Sequence, residues 1–193
     1  MGNLRSVEKA VAAVGGWPVI ARDPDSIRDA DRLILPGVGA FGDAMANLRK
    51  RGLDRAIGDA VNAGKPLLGL CLGLQLLFTE SEEFGSHQGL DLIPGRVRRF
   101  EEPGLRVPHV GWNQIEEGRP DPLLQGIPDG SYFYFVHSFF FSANDTADIL
   151  SITTYEIEFT SAIEKGNIVG VQFHPEKSHK FGMRLLKNFV DYY

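Results

Sequence analysis

Hydrophobic residues along this chain follow two rhythms. Over residues 4–62 they recur mostly at helical spacing, interrupted by continuous apolar runs at 19–21 and 33–35. Leu4, Val7, Val11 and Val14 share one helical face, with Asn3 as the cap and Gly15-Gly16 as the stop. Ile27 sits on a brief helical turn, a second helical run covers 43–50, and a third covers 53–62 up to Gly64. Short apolar runs alternating with helices predict a parallel sheet with both faces covered. Residues 67–70 are another such run, and Leu72, Gln75, Leu76 and Phe78 then repeat at helical spacing, predicting a helix to about Ser81.

Beyond Ser81 the rhythm changes toward strands. Residues 80–89 read as a polar loop, 92–99 as a strand, and 107–113 as a strand-like piece broken by proline and glycine. After a loop at 120–130, residues 132–141 form an aromatic strand interrupted at His137-Ser138. Strands follow at 149–154, 159–163 and 168–173, and a terminal helix over 181–193 places Met183, Leu186, Phe189 and Val190 on one side. With no repeat and no low-complexity linker, the expectation is one doubly wound α/β domain over 1–193.

Composition narrows the classes. The 193 residues are 43% hydrophobic and 23% charged, which fits a folded domain, and no apolar run reaches the roughly 20 residues of a membrane span. The net charge of -5, with lysines and arginines scattered, argues against nucleic acid as the main partner. The single cysteine precludes an intramolecular disulfide, and the N-terminus lacks a signal-peptide pattern, so the expected setting is the reducing cytoplasm.

That one cysteine stands where the apolar run at 67–70 meets the next helix. Flanked by Gly69 and Gly73, Cys71 forms a G-x-C-x-G version of a nucleophile elbow, and a helix N-terminus favours its thiolate. On residue type alone it reads equally well as a small core hydrophobe. The loop at 36–42 carries Gly37, Gly39 and Gly42, which suits either close approach of backbone amides to a ligand or an ordinary strand-to-helix connection. His174-Pro175-Glu176 ends the last apolar strand, with the carboxylate two residues beyond the imidazole and able to fix its tautomer. If that strand neighbours 67–70, histidine and cysteine meet at one edge of the sheet. His87, His109, His137 and His179 are the competing histidines, and no metal-ligand spacing links them to Cys71.

Taken together, Gly69-Leu70-Cys71-Leu72-Gly73 with Gln75, and His174-Pro175-Glu176, resemble the catalytic motifs of class I, triad-type glutamine amidotransferases. Pro36-Gly37-Val38-Gly39-Ala40-Phe41, Pro108-His109-Val110-Gly111-Trp112-Asn113, Phe135-Val136-His137-Ser138-Phe139, His174-Pro175-Glu176-Lys177-Ser178 and Leu185-Leu186-Lys187-Asn188-Phe189 are similar to the glutaminase subunit family of imidazole glycerol phosphate synthase. The resemblance covers essentially the whole chain. It implies a flavodoxin-like mixed sheet and glutamine hydrolysis, with Cys71 as nucleophile, His174 as proton carrier and Glu176 as its orienting partner. It also implies an oxyanion hole from Leu72 with Val38 and Gly39, and glutamine held by Gln75, His137, Ser138 and Phe139. The ammonia would pass to a cyclase subunit, a (β/α)8 barrel, docked on a face including Asn3, Trp112, Asn113 and Lys177. No cofactor and no metal are expected.

Two departures from that family pattern carry expectations of their own. The family opens with an apolar strand that has no counterpart before Met1-Gly2-Asn3, so unpaired backbone is expected beside it, and an inactive binding or regulatory subunit is the alternative reading. A glutaminase of another synthase is a further alternative. Glu156 stands where the family carries glycine after the tyrosine, and a strained turn is expected there.

Overall fold

The computed structural model describes residues 4–101, 104 and 106–193, the side chain of Ser142 excepted. The N-terminal half alternates as the apolar runs require: α1 (Leu4–Ala13), α2 (Pro24–Asp29), β1 (Leu33–Gly37), α3 (Phe41–Lys50), α4 (Leu53–Asn62) and β2 (Leu67–Cys71). Val7, Ala10 and Val11 form the buried stripe of α1, and Asp23 caps α2 by accepting from the Ser26 amide at 2.9 Å. After β2 come α5 (Leu72–Gln75), β3 (Phe78–Ser81), β4 (His87–Gln88), β5 (Ile93–Arg99), β6 (His109–Gln114) and β7 (Glu116–Glu117). The chain finishes with β8 (Tyr132–His137), β9 (Phe139–Ala143), β10 (Ile149–Tyr155), β11 (Ile157–Lys165), β12 (Ile168–Val171) and α6 (His179–Tyr192).

The main sheet has the order β1-β2-β12-β11-β10-β7, parallel across β1, β2 and β12 and antiparallel beyond. This is the expected mixed sheet. Every residue of β2 and β12 is buried, because both faces of these strands are covered. Leu68, Leu70, Val169 and Val171 point into a core shared with α1 and α6, while Leu67 and Ile168 point into the opposite core with Ile57 and Met45. Each such leucine contributes about 2 kcal/mol by leaving water. Two smaller sheets, β4-β3-β5-β9 and β6-β8, flank the main one.

Three expectations need correction. The helix after Cys71 stops at Gln75 rather than near Ser81, and Phe78–Ser81 is a strand paired with β4 and β5. Leu74, Leu76, Leu77 and Phe78 are all buried, so the run has no polar face from which helix and strand periods could be told apart. The loop expected over 80–89 accordingly holds the end of β3 and the short β4. Residues 19–21 form no ladder: Val19 is 73% exposed and Trp17 is 94% exposed, and no described strand pairs with them. The outer edge of β1 has no strand partner among the described residues.

Candidate active site

Strand β12 lies parallel beside β2, with Val171 opposite Leu70, so both chains emerge from the same edge of the sheet. Cys71 is the next residue on one strand and His174 lies three beyond the register pair on the other. Cys71 adopts φ 53° and ψ -113°, a backbone conformation forced by the sharp strand-to-helix reversal. The reversal depends on Gly73: a Cβ there would stand 1.7 Å from the Leu35 carbonyl oxygen, so only glycine lets the turn press against β1.

His174 is buried and shares its Nδ1 proton with Glu176 Oε1 at 2.8 Å. The ring is also hydrogen-bonded to Cys71. Burial by itself pushes the His174 imidazole down, but the hydrogen bonds and charges of Cys71 and Glu176 together outweigh it and lift the pKa to about 9. The Glu176 side chain is fully buried, and its Oε2 has no hydrogen-bond partner among the described residues. The carboxylate charge is therefore directed at the imidazole. Ser178 braces the loop from beneath, donating to the His174 carbonyl at 2.6 Å and accepting the Tyr134 amide at 3.0 Å.

A cavity of about 340 Å³ opens over these groups, lined by Val38, Gly39, Cys71, Leu72, Gln75, Glu83, Pro108, Val136, His137, Ser138, Phe139, His174 and Lys177. The structure thus brings together ten residues singled out in the sequence at this wall, with Glu176 buried behind it. Gly39 has φ 98°, which glycine alone adopts without strain. Gln75 has both amide protons engaged, by the Phe139 carbonyl and by Gln172 Oε1, each at 2.9 Å. Only its carbonyl oxygen is left for a ligand.

Of the residues expected at a docking face, Lys177 lines the cavity and Trp112 and Asn113 lie on β6. Trp112 is 45% exposed and stacks on His179 with ring centroids 4.9 Å apart, and Lys177 sits over the Tyr134 ring at 5.6 Å. Asn113 is partly buried and donates to the Thr154 carbonyl at 2.9 Å. Asn3 lies outside the described residues.

Sequence reasoning passed over Glu83 and Gln172. Glu83 accepts the Phe41 amide at 2.6 Å, capping α3 while facing the cavity, yet in the sequence it is one more charge in a polar stretch. Gln172 is fully buried, and its amide reaches Cys71 Sγ at 3.8 Å. A glutamine inside an otherwise apolar strand, two residues before His174, was the available signal. No group of three or more metal-ligating side chains occurs among the described residues, and no described helix is long and apolar enough to cross a membrane.

This arrangement places a thiol, an imidazole and a carboxylate in one hydrogen-bonded set, and comparison with known proteins shows the family. The model of the family described as Glutamine amidotransferase class-I matches residues 7–192. The imidazole glycerol phosphate synthase subunit HisH of Moorella thermoacetica is 53% identical over 190 residues, covering 98% of this chain and 90% of the relative. That of Sulfurimonas denitrificans is 50% identical over 196 residues, covering 100% and 94%. Among solved structures, a glutamine amidotransferase matches with a TM-score of 0.77 at 19% identity, covering 97% of this chain and 92% of that one, which supports the fold alone. PurLQS from Thermotoga maritima matches at 0.76 and 19%, with the same coverage. The chain belongs to the class-I glutamine amidotransferases, within the HisH subunit family of imidazole glycerol phosphate synthases.

Proposed function

We propose that this chain is a single glutamine amidotransferase domain that hydrolyses glutamine to glutamate and ammonia in the cytoplasm. The ammonia goes to a cyclase partner that makes imidazole glycerol phosphate and an aminoimidazole ribonucleotide in histidine biosynthesis. The observation that carries the reading is the hydrogen-bonded set Cys71, His174 and Glu176, the first two of which line a cavity of about 340 Å³.

In the proposed mechanism the Cys71 thiolate attacks the glutamine side-chain amide carbon, and the carbonyl electrons collect on oxygen. The Leu72 amide and the loop at Val38 and Gly39 stabilise that oxyanion, each donor contributing on the order of 3 kcal/mol. His174, held as the imidazolium by Glu176, gives its proton to the departing nitrogen, and ammonia leaves a Cys71 thioester. Neutral His174 then takes a proton from water, which attacks the thioester; glutamate departs and the thiolate and imidazolium are restored. Glu83 and Lys177 bring one charge of each sign to the cavity, as the ammonium and carboxylate of an amino acid require. His137, Ser138 and Phe139 form the wall along the glutamine, and Gln75 offers it a carbonyl oxygen. Trp112, Asn113 and Lys177 form the face on which the (β/α)8 cyclase docks.

The test is glutamate release from glutamine by the purified chain, alone and with the cyclase subunit and its nucleotide ligand, beside Cys71→Ala. Activity that rises with the partner and vanishes in the variant is the expected result. A folded chain that releases no glutamate in either condition would overturn the reading in favour of a non-catalytic subunit.

A further inference from the structure

Two buried histidines face each other across the β6-β8 ladder. His109 and His137 are register partners on adjacent strands, and His109 Nδ1 lies 3.0 Å from His137 Nε2. His137 Nδ1 lies 2.8 Å from the Phe139 carbonyl oxygen. A carbonyl only accepts, so His137 carries its proton on Nδ1, its Nε2 must accept, and His109 must donate from Nδ1. Asn113 Nδ2, 3.3 Å from His109 Nε2, then supplies the donor for the remaining nitrogen. One backbone oxygen thus fixes the tautomers of both rings.

Burial keeps this arrangement neutral. Desolvation pushes His109 down to about 4. It pushes His137 down to about 3 against the Phe139 hydrogen bond, with the charges of His109 and His174 adding to the fall. The pair serves neither as a general base near neutrality nor as a cation for a carboxylate. Stacking fixes its position as well: the His109 ring lies 3.9 Å from that of Tyr155 and 4.9 Å from that of Phe135.

The Phe139 oxygen is a junction. It also accepts from Gln75 Nε2 at 2.9 Å; Gln75 Nε2 donates again to Gln172 Oε1 at 2.9 Å, and Gln172 Nε2 points at Cys71 Sγ at 3.8 Å. A continuous chain of polar groups therefore runs from Asn113 at the surface to the sulfur. Each member orients the next: both amide protons of Gln75 and of Asn113 are committed, and each histidine nitrogen has a fixed role.

The geometry points to His109 as a positioning residue for the Cys71 nucleophile, acting through His137, the Phe139 carbonyl and the Gln75–Gln172 amide pair, with Asn113 as the outer end. It deepens the glutaminase reading, on which it rests for the assay substrate. The chain sets where the sulfur sits and how it is solvated, and its surface end lies next to Trp112, where a partner subunit would press.

The test compares two polar replacements that differ in one atom position. In His109→Asn the side-chain amide nitrogen takes the place of Nδ1 and keeps the link to His137; in His109→Gln it takes the place of Nε2 and breaks it. Cys71 is the only cysteine, so its alkylation by iodoacetamide reads the nucleophile without any glutamine turnover. For His109→Gln the expectation is a fall of roughly 10-fold in kcat with KM little changed, and alkylation slowed several-fold. His109→Asn is expected within about 3-fold of wild type on both. Equal behaviour of the two variants would overturn the proposal, since a merely structural loss does not distinguish them. Should His109→Gln not fold, Asn113→Leu carries the test: slowed alkylation supports the chain and an unchanged rate overturns it. A wild-type protein that turns over no glutamine, yet shows this alkylation pattern, would sink the glutaminase reading and leave the positioning role standing.

Discussion

Cys71 and Glu156 share a backbone habit and little else. Both are non-glycine residues with positive φ, 53° and 61° respectively, a region that costs an L-residue roughly 1–2 kcal/mol. Cys71 is 6% exposed and set in a fully buried strand, with Leu72 and Leu74 buried after it and Gly73 pressed against β1. Glu156 is exposed at the tip of the β10-β11 hairpin, between the paired Tyr155 and Ile157. The strain expected at that turn is there. At Cys71 the surroundings over-determine the conformation and the strain aims a sulfur into the cavity; at Glu156 nothing in the structure uses it.

Substitutions can break this contrast in order of size. Cys71→Ala should abolish glutamate release, a loss on the order of 10⁶-fold, while the melting temperature stays near wild type. A folded variant that still turns over glutamine would remove Cys71 from the chemistry. Glu176→Gln should lower kcat/KM roughly 10³-fold by freeing the imidazole from its orienting charge.

The same variant tests the linkage of His174 to pH. A histidine raised to about 9 in the folded state stabilises it fully below its ordinary value of 6.5, and that contribution fades as the pH climbs through about 9. Wild type should therefore lose more melting temperature between pH 6 and pH 9.5 than Glu176→Gln does. Parallel curves would argue that Glu176 does not hold the imidazolium. Depressed histidines have the opposite sign: His109 and His137 should cost stability as the pH falls below about 6.5.

Gly73→Ala should cost about 3 kcal/mol or more in denaturant unfolding, because backbone, not a flexible side-chain end, blocks the new methyl. The smallest effect is at the hairpin. Glu156→Gly should stabilise by roughly 0.5–1 kcal/mol and leave kcat and KM unchanged. A loss of stability there would mean that the Glu156 side chain holds more than its backbone costs.

The parallel half of the sheet was the most legible part of the sequence. Continuous apolar runs of strand length announced β1, β2 and β12, and the polar-apolar period of 53–62 gave α4 with the bounds observed. Cys71 and His174-Pro175-Glu176 stood out because each ends such a run. Pattern failed where burial is uniform: Leu74 to Phe78 could not be divided into helix and strand by period alone, and β3 depends on partners from β4 and β5. It failed at 19–21 for the opposite reason, since strand propensity without a neighbouring edge forms no ladder. His109 and Gln172 were invisible as working residues because their partners are set by cross-strand register and by packing, 28 and 101 residues away along the chain.

The adjacency of β2 and β12 also has a consequence for biosynthesis. As the chain leaves the ribosome, the proposed nucleophile is made early, but the strand that covers the inner edge of β2 and the histidine beyond it arrive 101 and 103 residues after Leu67 and Cys71. Until then Cys71 sits on an uncovered strand, without its base and without the wall from β8 and β9. On the proposed mechanism, competence to split an amide is thus withheld until residue 174 has been made, and a chain stopped before it carries the thiol without its base.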